Sequence, residues 1–239
     1  MYLWKCWRDT RGAFFVFLGT LLAVGAFGAY VQFDPFGWIA AKPESLRQLW
    51  QILAGAMVGM LVALTPASGF VLGALGVGTE FENRTADFLL TRPRARRGLL
   101  WTSWSLGAAQ LLALVLLSLG VNWLARSPSG PRASAPLFAG LSVLGLVIYS
   151  VTYLMTTLAR NSRHGIGFAI LVLAAYEGLY FWLRFWYQIF IPFINEDVFR
   201  GKTVFRAGTP ESALPLLGWL AVCLALTLVA QFRFERAEI

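Results

Sequence analysis

Residues Gly78–Arg97 read GTEFENRTADFLLTRPRARR. This is the one strongly charged stretch between long apolar runs, and the rest of the chain is organised around it. Glu80, Glu82 and Asp87 come first, then the apolar step Phe88-Leu89-Leu90, then Thr91-Arg92-Pro93 with Arg94, Arg96 and Arg97 behind it. Phe81, Thr85, Phe88 and Leu89 follow the i, i+4, i+7, i+8 spacing of one helical face, while Glu82, Asn83 and Asp87 fall on another. The acids occupy the first turns, where the helix dipole favours them, and the cations lie at or beyond the end. Pro93 has no N–H to donate and drives Arg92 out of the α region, so it ends the pattern. The spacing predicts a short amphipathic helix over 79–92, lying at a membrane surface because both flanking runs are too apolar for water.

Composition sets that context. Of 239 residues 58% are hydrophobic and only 13% charged, with mean hydropathy +0.64. Soluble domains carry about 25% charge, so this chain cannot cover its own surface in water. The fold class expected is an all-α integral membrane protein with six transmembrane helices. A net charge of +8 in a soluble protein suggests nucleic acid. Here the cations flank apolar runs, so lipid headgroups and topology account for them and no nucleic-acid partner is expected. Two cysteines, Cys6 in the N-terminal segment and Cys223 in the last apolar run, make no disulfide framework.

In chain order, residues 1–12 read as an interfacial helix, with Leu3, Cys6, Trp7 and Thr10 on one side and Lys5, Arg8 and Asp9 on the other. Six spans are expected at 13–32, 49–77, 99–124, 137–158, 166–185 and 214–231. The second contains Thr65-Pro66, a kink signal, and two Gly-x-x-x-Gly spacings, Gly55/Gly59 and Gly69/Gly73, that permit close helix approach. Arg160 to Gly165 reads as a tight basic turn. Residues 186–212 read as an external loop with a re-entrant element, because Tyr180 to Phe193 is too apolar for water yet is interrupted by Pro192.

The order Glu82-x-x-Thr85-x-x-Phe88-Leu89-Leu90-x-x-Pro93-x-x-Arg96 resembles the loop between the second and third spans of ABC transporter type 2 permeases. One departure is that Arg84 stands where that family usually has glycine. Leu-x-x-Asn161-Ser162 before the fifth span and the closing Phe232-x-Phe234-x-Arg236 are similar to two further family motifs, so the resemblance spans the chain. It implies that 79–92 is a coupling helix docking on a separate ATPase, with Glu80, Phe81, Glu82, Arg84, Thr85, Phe88, Leu89, Leu90, Pro93 and Arg96 at the contact. It implies an exporter subunit in a prokaryotic inner membrane, pairing with a second copy or a homologous permease. Two ATPase subunits would bind the ATP and Mg, and this chain would hold no cofactor. The competing reading of the segment is a solvated loop obeying the positive-inside rule. For the whole chain the alternatives are a permease-like subunit that passes ATPase motion to an external machine, and an intramembrane enzyme or secondary transporter.

Catalytic chemistry is thin. Gly201-Lys202-Thr203 has Glu196 where a P-loop requires its first glycine. His164 is the only histidine, which leaves no histidine pair for a metal and no conventional histidine-based triad. Glu177, two-thirds through the fifth span, is either a pathway residue or a hydrogen-bonded structural carboxyl near the outer interface. Tyr180, Trp182 and Trp186 accompany it as an interfacial belt or an external gate.

Lys and Arg set the orientation. Lys5, Arg8, Arg11, Arg84, Arg92, Arg94, Arg96, Arg97, Arg160, Arg163, Arg233 and Arg236 fall on the side of the N-terminus, 12 in all. Lys42, Arg47, Arg126, Arg132, Arg184, Arg200, Lys202 and Arg206 make 8 on the other. Both termini and the charged segment are therefore expected to be cytoplasmic. In sealed cells an impermeant thiol reagent is expected to label Ser129→Cys and Thr203→Cys but not Ala95→Cys; labelling at 95 reverses the topology.

Overall fold

The computed structural model describes residues 2–33, 37–38, 41–76, 93–125, 135–159, 162–187 and 213–236. Those residues form six helices and no strand: α1 (Tyr2–Phe33), α2 (Glu44–Ala74), α3 (Pro93–Ala125), α4 (Ala135–Ala159), α5 (Ser162–Tyr187) and α6 (Ala213–Arg236). The all-α class expected from composition holds. Within these helices Leu3–Gly28, Leu100–Ser118 and Ala139–Ala159 are long and apolar enough to cross a membrane.

Several boundaries differ from the sequence reading, each for a physical reason. Residues 2–12 are not a separate interfacial helix, because α1 runs unbroken from 2 to 33. The buried stripe Cys6, Thr10, Phe14, Leu21 continues straight across Gly12, so one face packs along the whole length and nothing calls for a turn. Arg8 and Asp9 form an exposed pair at 3.6 Å on the opposite side. The helix that carries the third span begins six residues before its expected start, at Pro93, while its apolar crossing segment begins at Leu100. A proline with no N–H is well suited to open a helix, whose first amides lack partners in any case. Arg94, Arg96 and Arg97 thus belong to the first turns of α3 and not to a loop. Ser162–Gly165 is likewise helix and not turn, Phe232–Arg236 continues α6, and Trp186 and Tyr187 still belong to α5. Any break in the aromatic stretch therefore falls after Tyr187; residues 188–212 lie outside those described.

Between α1 and α2 the backbone turns at Gly37, whose φ of 66° is a left-handed conformation that suits glycine. The Ala41 N–H closes that turn on the Gly37 carbonyl at 3.0 Å. Pro43 then caps α2, its carbonyl accepting from the N–H groups of Leu46 and Arg47, and Glu44 meets the positive end of the dipole. Pro66 is carried inside α2 without ending it. Next to it the Ser68 hydroxyl donates to the Thr65 carbonyl at 2.7 Å.

α4 is the central post. It packs against α2, α3, α5 and α6, while α1 lies across α2 and α3 on the outside. The apolar segment of α4 is 67% buried against 11% for that of α1. Outward faces are apolar: Phe15 and Val16 on α1, Leu116 on α3, Leu171 on α5, Leu217 and Leu228 on α6. The interior is closed by glycine contacts between α2 and α4. A Cβ added at Gly69 would meet the Gly145 carbonyl oxygen at 2.5 Å, and one at Gly73 would meet the Tyr149 carbonyl at 2.7 Å. The Gly69/Gly73 spacing is thus spent within the chain, seating α2 on α4.

Gly69→Ala is expected to lower stability by about 1–3 kcal/mol, because both neighbours are backbone and the helices must separate. Gly19→Ala, where an added Cβ has nothing within 4 Å, is expected to be neutral or stabilising by up to about 1 kcal/mol. Thermal unfolding of the two variants in one detergent checks the ranking.

Candidate functional site

The charged segment joins α2 to α3, so its action on the rest of the chain must pass through the end of α2 and the start of α3. Residues 77–92 lie outside those described, and with them Glu80, Phe81, Glu82, Arg84, Thr85, Phe88, Leu89 and Leu90. Pro93 and Arg96 lie in the first turn of α3. The described structure begins on either side, at Gly76 and at the first turns of α3, and there four helices are tied together.

α4 supplies the ties. Tyr149 and Tyr153 stand one turn apart, each 1% exposed, with ring centroids 5.9 Å apart. The Tyr153 hydroxyl donates to the Leu100 carbonyl at 3.0 Å, and the Tyr149 hydroxyl donates to the Trp104 carbonyl at 3.0 Å. Both acceptors belong to the first turns of α3. A phenol inside an apolar bundle needs a partner, and a helix carbonyl with a spare lone pair supplies it. Trp104 returns the link, its indole N–H donating to the Ser150 hydroxyl at 3.4 Å. One turn earlier the Trp101 indole N–H donates to the Gln231 amide oxygen at 2.7 Å, tying α6 to the same place.

Below the tyrosines α4 carries a run of buried hydroxyls, Thr152, Thr156 and Thr157. Each returns its proton to a carbonyl of the preceding turn: Thr152 to Ile148, Thr156 to Thr152, Thr157 to Tyr153. Thr156 also reaches the Gly73 carbonyl of α2 at 3.4 Å. Behind it Gly165 of α5 is so close that an added Cβ would meet Thr156 Cγ2 at 2.9 Å. The hydroxyl-rich half of α4 is therefore a buried, self-satisfied contact strip.

A second polar contact lies further along α3. The Gln110 amide N–H donates to the Thr10 hydroxyl oxygen at 2.9 Å, and Thr10 donates its only proton to the Cys6 carbonyl at 2.9 Å. That chain fixes the amide orientation. Gln110 Oε1 is consequently left buried without a hydrogen-bond partner among the described residues.

Glu177, Tyr180, Trp182 and Trp186 all lie on the last three turns of α5, and helical spacing sets the first two on a different face from the last two. Their side-chain placement lies outside what is described. His164 is exposed on the first turn of α5, and Cys6 and Cys223 are both buried and form no disulfide. Among the described residues no three metal-ligating side chains come together. The sequence reading passed over Tyr149, Tyr153 and Gln110. The signal available was polar residues at helical spacing inside apolar spans: Tyr-x-x-x-Tyr in the fourth and a lone amide in the third.

Gln110→Met is expected to keep or raise stability, because it removes an orphan acceptor that costs about 1–3 kcal/mol while Thr10 keeps its own bond to Cys6. Thr10→Val is expected to cost about 1–3 kcal/mol, since both ends of the Gln110 amide are then buried without partners. Thermal unfolding in detergent separates them; the reverse order breaks the assigned polarity of this bond.

No family model, curated protein or solved structure matches the chain.

Proposed function

We propose that this chain is the transmembrane permease subunit of an ATP-driven ABC exporter, with six spans and with residues 79–92 as its coupling helix. The observation that carries the reading is the convergence of α2, α3, α4 and α6 beside the charged segment. A loop that only obeyed a topology rule would require no such root. A segment that must deliver force to a membrane bundle requires its two ends to be fixed rigidly to the helices that move.

Helix lengths support six spans. The shortest, α6, has 24 residues, and a bilayer core requires about 20. α3 has 33 residues, about 50 Å at helical rise, enough to cross and still project toward a partner. The apolar outward faces suit lipid or a second permease. The buried groups described are hydroxyls and one amide, with no charged side chain among them, which suits a mechanical element better than an ion-coupled or catalytic core. ATP and Mg bind on two separate ATPase subunits, and the chain pairs with a second copy or a homologous permease.

The experiment is purification of the tagged chain from its native membrane in mild detergent, with ATPase activity and partner content measured. Phe88→Ala is expected to weaken docking by about 2 kcal/mol, roughly thirtyfold in affinity, as loss of a central anchor does. Glu82→Lys is expected to weaken it too, by setting a cation at a helix N-terminus. Arg97→Ala is expected to matter less for docking than for membrane insertion. If both of the first two variants keep full partner binding while Arg97→Ala abolishes it, residues 79–92 are an ordinary basic loop.

A further inference from the structure

We propose that Tyr153 is the positioning residue that passes movement from the charged segment to α4. The inference rests on the permease reading for the source of the force, but its geometry does not. One side chain of α4 holds both roots of the segment. Its ring lies against Gly76, so closely that an added Cβ would meet Cδ2 at 2.8 Å and Cε2 at 2.9 Å. Its hydroxyl donates to the Leu100 carbonyl at 3.0 Å. Gly76 is the last described residue before the segment, and Leu100 lies two turns into the helix that follows it.

A buried phenol held at its ring edge and at its hydroxyl transmits displacement because close packing leaves it little room to absorb it; Tyr153 is 1% exposed. The neighbouring links make the connection directional. Tyr149 donates to α3 one turn further on, and Thr156, whose one proton goes to the Thr152 carbonyl, abuts the Gly73 carbonyl of α2 at 3.4 Å one turn back. Displacing the two roots together therefore carries α4 along as a unit. α5 follows α4 through Thr156 against Gly165. α1 makes its described polar contact with α3 further along, through Thr10 and Gln110, and is outside this line. Two substitutions dissect the contact. Tyr153→Phe removes only the bond to Leu100, and Gly76→Ala forces the ring from its seat while leaving the hydroxyl.

The test has two arms on the full chain. In detergent without any partner, amide hydrogen exchange is followed by mass spectrometry. Tyr153→Phe is expected to raise exchange at 98–104 by fivefold or more while leaving 110–118 within twofold of wild type. Gly76→Ala is expected to do the same at 71–76. Unchanged exchange at both places overturns the clamp whatever the chain's function is. In the second arm, the complex co-purified with its ATPase carries spin labels at Leu158→Cys on α4 and Phe15→Cys on α1, the helix outside this line, both positions exposed. Addition of ATP with Mg is expected to shift their separation in the otherwise wild-type chain. Tyr153→Phe is expected to retain partner binding within twofold and to lose at least four-fifths of that shift. Retention of the full shift in both Tyr153→Phe and Gly76→Ala overturns the transmission role. Absence of any co-purifying ATPase from the wild-type chain defeats the permease reading instead, and the first arm still decides the clamp.

Discussion

A polar group inside an apolar bundle must find its partner within the protein, and in this chain that requirement selects which helices touch. The two tyrosine hydroxyls of α4 can be satisfied only by carbonyls on a neighbouring helix, and they take those of Leu100 and Trp104. That choice fixes the rotation and the height of α4 against α3. Once α4 is set, the glycine seats follow: Gly69 and Gly73 bring α2 onto Gly145 and Tyr149, and Gly165 brings α5 onto Thr156. Apolar burial cannot do this alone, because hydrocarbon outside and leucine inside are equally good surroundings for a leucine side chain. Specificity here comes from a few directional bonds and from close backbone approach.

The remaining contacts divide the bundle into a firm and a slacker half. Around the start of α3 the indoles of Trp101 and Trp104 and the phenols of Tyr149 and Tyr153 stack edge and face, with successive centroids 5.9, 6.4 and 5.9 Å apart. Aromatic stacks with satisfied donors are stiff. Between α5 and α6 the described aromatic contact is Tyr176 on Trp219 at 6.2 Å, and most apolar side chains described on both helices face outward. The aromatic stack with satisfied donors is concentrated at the start of α3, and apolar surface is left open on α5 and α6.

Much of this was legible in the sequence, and the limits are physical. The six helices appear as apolar runs, three of them with segments long and apolar enough to cross a membrane, so length and composition suffice to find them. The Gly69/Gly73 spacing is readable for the same kind of local reason. Boundaries were less legible where charge disguised helix: Lys5, Arg8 and Arg11 suggested a surface helix, yet the stripe through Cys6, Thr10 and Phe14 runs on without a turn. Arg94, Arg96 and Arg97 suggested loop, yet they open α3. The tyrosine knot was not legible at all. Tyr149 and Leu100 are 49 positions apart, and which carbonyl a hydroxyl meets depends on the relative height of two helices, which no local periodicity encodes. Glu177, readable in the sequence as either a pathway residue or a structural carboxyl, has its side chain outside what is described, and the described core is organised by neutral donors.

The central place of α4 also sets an order of events during synthesis. The helices synthesised first, α1 to α3, can pair with one another through Thr10 and Gln110 and through Phe27 on Trp50. They cannot close the bundle, because Gly69 and Gly73 of α2, and Gly107 of α3, whose added Cβ would meet the Tyr149 ring at 2.7 Å, have no occupant beside them until the fourth helix has left the ribosome. A chain truncated before residue 135 thus presents to the quality-control machinery a glycine-lined cleft and helix carbonyls with no phenol to meet them. The fourth helix is thus the arrival that gives α2 and α3 a common partner, and α5 and α6 then add to it.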